Sequence, residues 1–236
     1  GKSSDTWPVR ELPELKDIQW QHYQNIPIAF ITGTNGKSTS VRLASHIAKA
    51  AGFVAGVTST DFIRVGDNII DTGDYSGPGG ARMLLRDPRT ELAFLEVARG
   101  GILRRGLPID SVDAALITNV ASDHLGQYGI NTVEELAATK FVVAKGLDAR
   151  GTLVLNADND LVIEQGLKLD NKMCWYSTDE SNPLIQSHLK TGGAAVFMRN
   201  NRIVYVIDNE EEDIASLEHV PMTLNGAAQH NVQNAL

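Results

Sequence analysis

The 236-residue chain is long enough to bury a full core, and its 42% hydrophobic and 21% charged composition is that of an ordinary globular protein. A formal net charge of −8 excludes a general nucleic-acid binder, which needs a basic field, and no apolar run has the length required to span a bilayer. The lone cysteine, Cys174, can form neither an intrachain disulfide nor a cysteine-rich zinc site, so a reduced, cytoplasmic setting is expected.

Residues 1–24 are polar, carry scattered Trp7, Pro8, Pro13 and Trp20, and read as a linker or N-terminal extension. Ile26 to Ile31 is an apolar run of strand length that enters Gly33-Thr34-Asn35-Gly36-Lys37-Ser38-Thr39. Strand, glycine turn, Lys-Ser-Thr and then a helical pattern make a phosphate-binding loop. The glycines let backbone N–H groups crowd an anion, Lys37 brings a point charge, and a hydroxyl can hold Mg²⁺. The usual spacing has a glycine five residues before the Gly-Lys pair. Here that position is Ile31, so the loop is a shorter variant.

Val41, Ala44, Ile47, Ala48 and Ala51 recur at helical spacing and Gly52 ends the segment. A second strand covers Phe53 to Val57 and leads to Thr58-Ser59-Thr60, and Phe62 to Ile70 reads as a hairpin turning at Gly66-Asp67. Thr72 to Gly80 holds too many glycines for a regular element and reads as a functional loop. Leu92 to Val97 is a third strand with Glu96 near its end, and Ala114 to Val120 a fourth leading to Asp123-His124. Thr132 to Glu135 fits a capping box that opens a helix to about Gly146. Thr152 to Leu155 and Met173 to Tyr176 are further strands, and Ala194 to Val206 forms a small β-hairpin about Asn200-Asn201. The acidic run Asp208 to Asp213 reads as a solvated loop.

Apolar strands alternating with helices predict an α/β fold, a mostly parallel sheet with helices on both faces. Ligands in such sheets bind beyond the carboxyl ends of the strands. Those ends carry Lys37 and Ser38, Thr58 and Ser59, Glu96, Asn119 with Asp123 and His124, and Asn156 with Asp158. Lys140 shares a helix face with Leu136 and Ala144, where a lysine is costly unless paired or modified, and burial there lowers its pKa.

The phosphate loop, Glu96, the run from Thr118 to Leu125, Asn156-Ala157-Asp158 and the terminal run from His230 to Leu236 together resemble the central ATPase domain of Mur ligases, over about residues 25–236. The run from Gly73 to Pro78 with Ala81-Arg82-Met83, and the run from Glu96 to Arg104, are similar to the Mur-ligase half of the cyanophycin synthetases. Peptidoglycan Mur ligases usually have a serine-rich stretch after the strand-end Glu, where this chain has Ala98-Arg99-Gly100-Gly101.

The resemblance implies ATP and Mg²⁺ as cofactors and an acyl-phosphate route to an amide. It implies that Gly33, Thr34, Asn35, Gly36, Lys37, Ser38 and Thr39 wrap the nucleotide phosphates, with Asn119 beside them and with His230, Asn231 and Asn234 on the adenine and ribose side. It puts Ser38 and Glu96 on one Mg²⁺ and His124 at a second. Lys37, His124 and Lys140 are the expected catalytic groups, and Lys140 stands as a carbamate on the second Mg²⁺, a cation on phosphate, or a snorkelling structural lysine. Arg82, Arg99 and Arg104, in glycine-flanked loops, suit an acidic acceptor, and Asp74 suits a basic amine.

The expected partners are therefore an amino acid and an acidic peptide or polymer, with homo-oligomers left open. The chain starts without methionine and stops within an opening helix, so it reads as part of a longer protein whose C-terminal ligase domain is absent here. The alternatives are a nucleotide-binding scaffold or regulatory module, a P-loop kinase, or another Mur-type ligase such as a poly-γ-glutamate or peptidoglycan ligase. Hydride transfer is disfavoured because the loop lacks the Gly-x-Gly-x-x-Gly spacing.

Overall fold

A computed structural model describes residues 26–123 and 125–236. The proposed linker at residues 1–24 and the candidate His124 lie outside the described residues. In chain order the elements are β1 (Ile28–Thr32), α1 (Lys37–Ala50), β2 (Ala55–Thr58), β3 (Phe62–Val65), β4 (Asn68–Thr72), α2 (Pro78–Leu84), β5 (Leu92–Glu96), α3 (Arg99–Arg105) and β6 (Val112–Ile117). There follow α4 (Val133–Lys140), β7 (Leu147–Asn156), α5 (Asp160–Gly166), β8 (Lys172–Ser177), α6 (Pro183–Leu189), β9 (Ala194–Arg199), β10 (Arg202–Ile207), β11 (Glu210–Ser216) and α7 (Gln229–Ala235). A 3-10 segment, Phe141–Gly146, continues α4.

The strands form one 11-stranded sheet in the order β11-β10-β9-β8-β7-β6-β1-β5-β2-β3-β4. Its middle, from β9 to β2, is parallel, and antiparallel pairs close both ends. β1 lies between β5 and β6, so the chain leaves it in both directions and opens a crevice at its carboxyl end. The pleat sorts β1 onto two cores. Ile28 and Phe30 join the large core with Leu84, Leu95 and Leu136, while Ile31 packs on the other face with Val41 of α1 and Val57. Helices thus cover both faces, as the strand pattern predicts.

Local chemistry explains the elements that hold the site. The Thr132 hydroxyl accepts from the Glu135 N–H at 3.1 Å and the Glu135 carboxylate accepts from the Thr132 N–H at 3.2 Å, the reciprocal cap that the sequence forecasts. The inner stripe of α1 differs from expectation. It runs Val41, Ser45, Ala48, and Ile47 is 60% exposed. Ser45 tolerates burial because it donates to the Arg42 carbonyl and accepts from Arg64.

Three sequence readings are corrected. The glycine-rich stretch is a loop only as far as Gly77, after which α2 begins with Pro78 at its first turn. Gly80 is inside that helix because a Cβ there would meet the Tyr75 carbonyl at 2.3 Å. Arg82 and Arg104 lie on helices α2 and α3, and Arg99 opens α3, so none is in a loop. Gly101 lets α3 pack on the turn that opens α2, since its Cβ would stand 3.2 Å from the Gly77 Cα. The acidic run is exposed but is largely the edge strand β11, where Asp213 and Glu211 receive Arg202 at 2.5 Å and Arg199 at 2.7 Å. Charge on an edge discourages pairing with another chain.

Candidate active site

Beyond Thr32 the chain turns through Gly33 and Gly36, the latter at φ 87°, and enters α1 at Lys37. A second strand end holds this loop. The Thr34 N–H donates to the Asn119 carbonyl at 2.9 Å, the Asn35 N–H to Asn119 Oδ1 at 2.9 Å, and Asn119 Nδ2 to the Asn35 carbonyl at 3.1 Å. Thr118 Oγ1 donates to the same carbonyl at 2.6 Å. Asn119 is therefore occupied in shaping the loop, and its amide is turned toward backbone. Behind it, Asn156 Nδ2 and the Tyr176 hydroxyl both donate to the Thr118 carbonyl, at 2.9 and 2.8 Å.

At the head of α1, Ser38 Oγ donates to Glu96 Oε2 at 2.9 Å and lies 3.3 Å from the Thr60 hydroxyl. Glu96 is 1% exposed, and its Oε1 is buried with no hydrogen-bond partner among the described residues. Burial raises its pKa, while the Ser38 bond and the nearby Lys37 charge pull it back. An unsatisfied buried carboxylate oxygen beside two hydroxyls fits a small hard cation. The donor set suits Mg²⁺, which takes one or two carboxylates and completes its shell with phosphate and water. Among the described residues no three His, Cys, Asp or Glu cluster, so phosphate and water would have to supply most of the cation's shell.

Lys37 Nζ donates to the Thr34 carbonyl at 2.9 Å, spanning the loop it follows. Lys140, at the end of α4, is 4% exposed, and its Nζ donates to the Gly33 carbonyl at 2.7 Å. It does not snorkel. Burial, with the Lys37 and Arg99 charges adding to it, brings its pKa down to about 7. A cavity of about 230 Å³ opens between these groups, lined by Gly33, Lys37, Thr60, Arg99, Asp123 and Lys140 among others.

A second cavity, of about 600 Å³, adjoins the first and shares Ala98, Arg99 and Gly100 with it. Asp74, Arg104, Arg105 and Tyr128 also line it. Arg82 is exposed on α2 and is not part of that lining. Asp74 Oδ1 accepts from the Ser76 N–H and hydroxyl, at 3.1 and 2.6 Å.

On the other side of the loop, Asn234 of α7 lies against Gly36, where a Cβ would stand 2.1 Å from its Oδ1. Asn231 Nδ2 donates to the Met222 carbonyl at 2.7 Å, and His230 is exposed at the start of the same helix. Thr39 is half-buried in the first turn of α1. Two strand-end groups do other work. The Ser59 hydroxyl caps the turn into β3, and Asp158 ties β7 to β8 by accepting from Ser177 and Thr178. Sequence reasoning missed Thr60 and Tyr128. The position of Thr60 after the second strand is a signal for it, but nothing local in the sequence brings Tyr128 to the arginines.

The model for the Mur ligase middle domain matches residues 31–236. The cyanophycin synthetase of Geminocystis herdmanii is 42% identical over 215 residues, which are 91% of this chain and 25% of that protein. The chain spans about a quarter of the length of the curated relatives it matches first. A UDP-N-acetylmuramoyl-L-alanyl-D-glutamate–2,6-diaminopimelate ligase structure superposes with TM-score 0.61 at 20% identity, over 88% of this chain and 44% of that one. A bifunctional folylpolyglutamate synthase/dihydrofolate synthase, solved with Mn, AMPPNP and L-glutamate bound, gives TM-score 0.55 at 18% identity, over 87% and 52%. With its phosphate loop set between β1 and α1 and matched over most of its length, the chain belongs to the Mur ligase middle domain family.

Proposed function

We propose that this chain is the ATP-binding domain of a ligase that joins a carboxylate to an amine, of the cyanophycin-synthetase type. The observation that carries it is the Ser38–Glu96 pair, with its orphaned buried oxygen, set beside Lys37 and opening toward an arginine-lined cavity. The acceptor carboxylate attacks the γ-phosphorus of ATP, ADP leaves, and an acyl phosphate forms. The amine then adds to the acyl carbon and phosphate departs with the C–O electron pair, while the amine proton passes to a base. This chemistry needs positioning and neutralised charge more than covalent help from the protein.

Each residue has a part. Backbone N–H groups of residues 36–39 and the Lys37 ammonium receive the phosphates, with the macrodipole of α1 behind them, while the Thr34 and Asn35 N–H groups stay on Asn119 and hold the loop's shape. Ser38 and Glu96 hold Mg²⁺, which when bound screens the phosphate charge. Asn119 fixes the loop. Asn231 and Asn234, with His230, form the nucleoside side. Lys140 serves as a carbamate holding a second Mg²⁺, joined by His124, or as a cation on the phosphates. Bicarbonate labelled with ¹³C separates the two readings, because only the carbamate gives a carbonyl resonance that Lys140→Arg abolishes.

The substrates follow from charge. Arg99 and Arg104 suit an acidic acceptor, an aspartate side chain in a polymer, and Asp74 suits arginine or lysine as the amine. The C-terminal domain typical of such ligases supplies the rest of the amine site.

The test is ADP release by the full-length protein from ATP and Mg²⁺ with a β-aspartyl peptide, each amino acid being added in turn. Release stimulated by arginine or lysine, with the matching mass gain, supports the proposal. Stimulation by glutamate on a γ-glutamyl acceptor moves the assignment to a poly-γ-glutamate ligase. Nucleotide binding without turnover under any pairing refutes ligation and leaves a binding module.

A further inference from the structure

We propose that Tyr128 is a positioning residue that sets acceptor specificity, by holding the Arg99 and Arg104 guanidiniums as a paired reader of neighbouring carboxylates on an acidic chain. The inference rests on the reading of the acceptor as acidic, and it assigns the selection to a turn outside the phosphate-loop machinery.

Tyr128 is the tip of a tight turn. Gly126 and Gly129 flank it at φ 82° and 78°, the Gly126 N–H donates to the Ile130 carbonyl at 2.7 Å, and the Ile130 N–H donates to the Gln127 carbonyl at 3.2 Å. Tyr128 itself has φ 57°, a left-handed conformation that a bulky L-residue rarely takes. The residue is 55% exposed, so core packing does not account for holding it there. Such strain in an exposed aromatic, inside a cavity wall, points to work done by the ring.

The ring faces two cations. Arg99 Cζ lies 6.0 Å from its centroid and Arg104 Cζ 5.7 Å. Arg99 Nη2 also donates to Gln127 Oε1 at 2.9 Å, and Arg104 Nε donates to the Gly100 carbonyl at 2.9 Å. Each guanidinium is therefore held by at least one hydrogen bond together with the aromatic ring. Two long side chains are ordered before any ligand arrives, so less entropy is lost on binding.

The cavity is shaped for an acidic ligand. Among the described residues, Arg99, Arg104 and Arg105 face it against the single carboxylate of Asp74, in a chain whose net charge is −8. Through Ala98, Arg99 and Gly100 it runs into the phosphate-loop cavity. An acidic chain lying in it can present one carboxylate to the phosphate loop while an adjacent one stays on the arginine pair.

The experiment is calorimetric titration of a tetra-aspartate peptide into the full-length protein with Mg²⁺ and a non-hydrolysable ATP analogue. Tyr128→Asn keeps a residue that tolerates the left-handed turn and removes the ring. It should weaken peptide binding by about five- to thirty-fold, the loss of two cation–π contacts, with nucleotide affinity held within about twofold. Tyr128→Phe keeps the ring and should bind like the parent. Equal peptide affinity of Tyr128→Asn and the parent overturns the proposal, as does a loss in Tyr128→Phe as large as in Tyr128→Asn. Absence of peptide binding by the parent also overturns it. Tyr128-dependent binding with no ADP release under any acceptor–amine pairing supports the carboxylate reader and overturns the ligase reading alone.

Discussion

Lys140 and Gly33, 107 positions apart in sequence, meet at 2.7 Å where the end of α4 touches the phosphate loop. The amine is buried, with a pKa brought to about 7 from 10.5. Between those values the unfolded chain binds a proton that the folded chain does not, so folded stability rises with pH from about 7 to 10.5. Below about pH 7 both states are protonated and the full penalty applies. In metal-free protein, urea unfolding of the parent should show this rise and Lys140→Met should lack it. Parallel pH profiles for the two proteins would refute the assignment.

Glu96→Gln removes the charge but keeps the shape around Ser38. Nucleotide should still bind without Mg²⁺, and the extra affinity that Mg²⁺ confers should fall by about tenfold or more, as for loss of a charged partner. Titrating an ATP analogue with and without Mg²⁺ measures both. An undiminished Mg²⁺ effect removes Glu96 from the metal site.

Asn119→Ala leaves the Asn35 N–H without its side-chain partner and the Asn35 carbonyl with Thr118 Oγ1 in place of two donors. Asn35 is exposed, so water recovers part of the loss, and a destabilisation of about 1 kcal/mol is expected. Nucleotide affinity should fall more than stability, because the loop loses its shape while the core is untouched. Denaturant midpoints and nucleotide titrations compare the two effects. A larger loss in stability than in binding would make Asn119 a folding residue only.

Gly36→Ala meets two obstacles at once, φ 87° and Asn234 Oδ1 at 2.1 Å. The backbone cost alone is about 1–2 kcal/mol. Pairing it with Asn234→Ala should return the part due to the clash, read as a double-mutant cycle in melting temperature. Strict additivity would mean that α7 does not press on the loop.

Much of this was legible because it is periodic or local. The apolar runs that became β1, β5, β6 and β8 are continuous, and the Thr132 cap is written within four residues. What escaped depends on partners distant in sequence. Glycine reads as a breaker in α2 and α3, yet Gly80 and Gly101 are there because neighbouring backbone comes too near for a Cβ. The acidic run joins the sheet as β11 by backbone pairing with β10, and Arg202 of β10 and Arg199 of β9 take up Asp213 and Glu211. Thr60 and Tyr128 gain meaning only when Ser38, Arg99 and Arg104 are folded beside them.

The sheet order also governs when the site can exist. The strand that bears the phosphate loop pairs with Ala93 on one side and Ala114 on the other, and the loop is flanked by Asn234 near the chain's far end. Loop-closure entropy must be met for each of these distant contacts before they reward the chain. The loop after β1 is therefore complete only once segments that follow it at long sequence separation, up to α7, have docked around it.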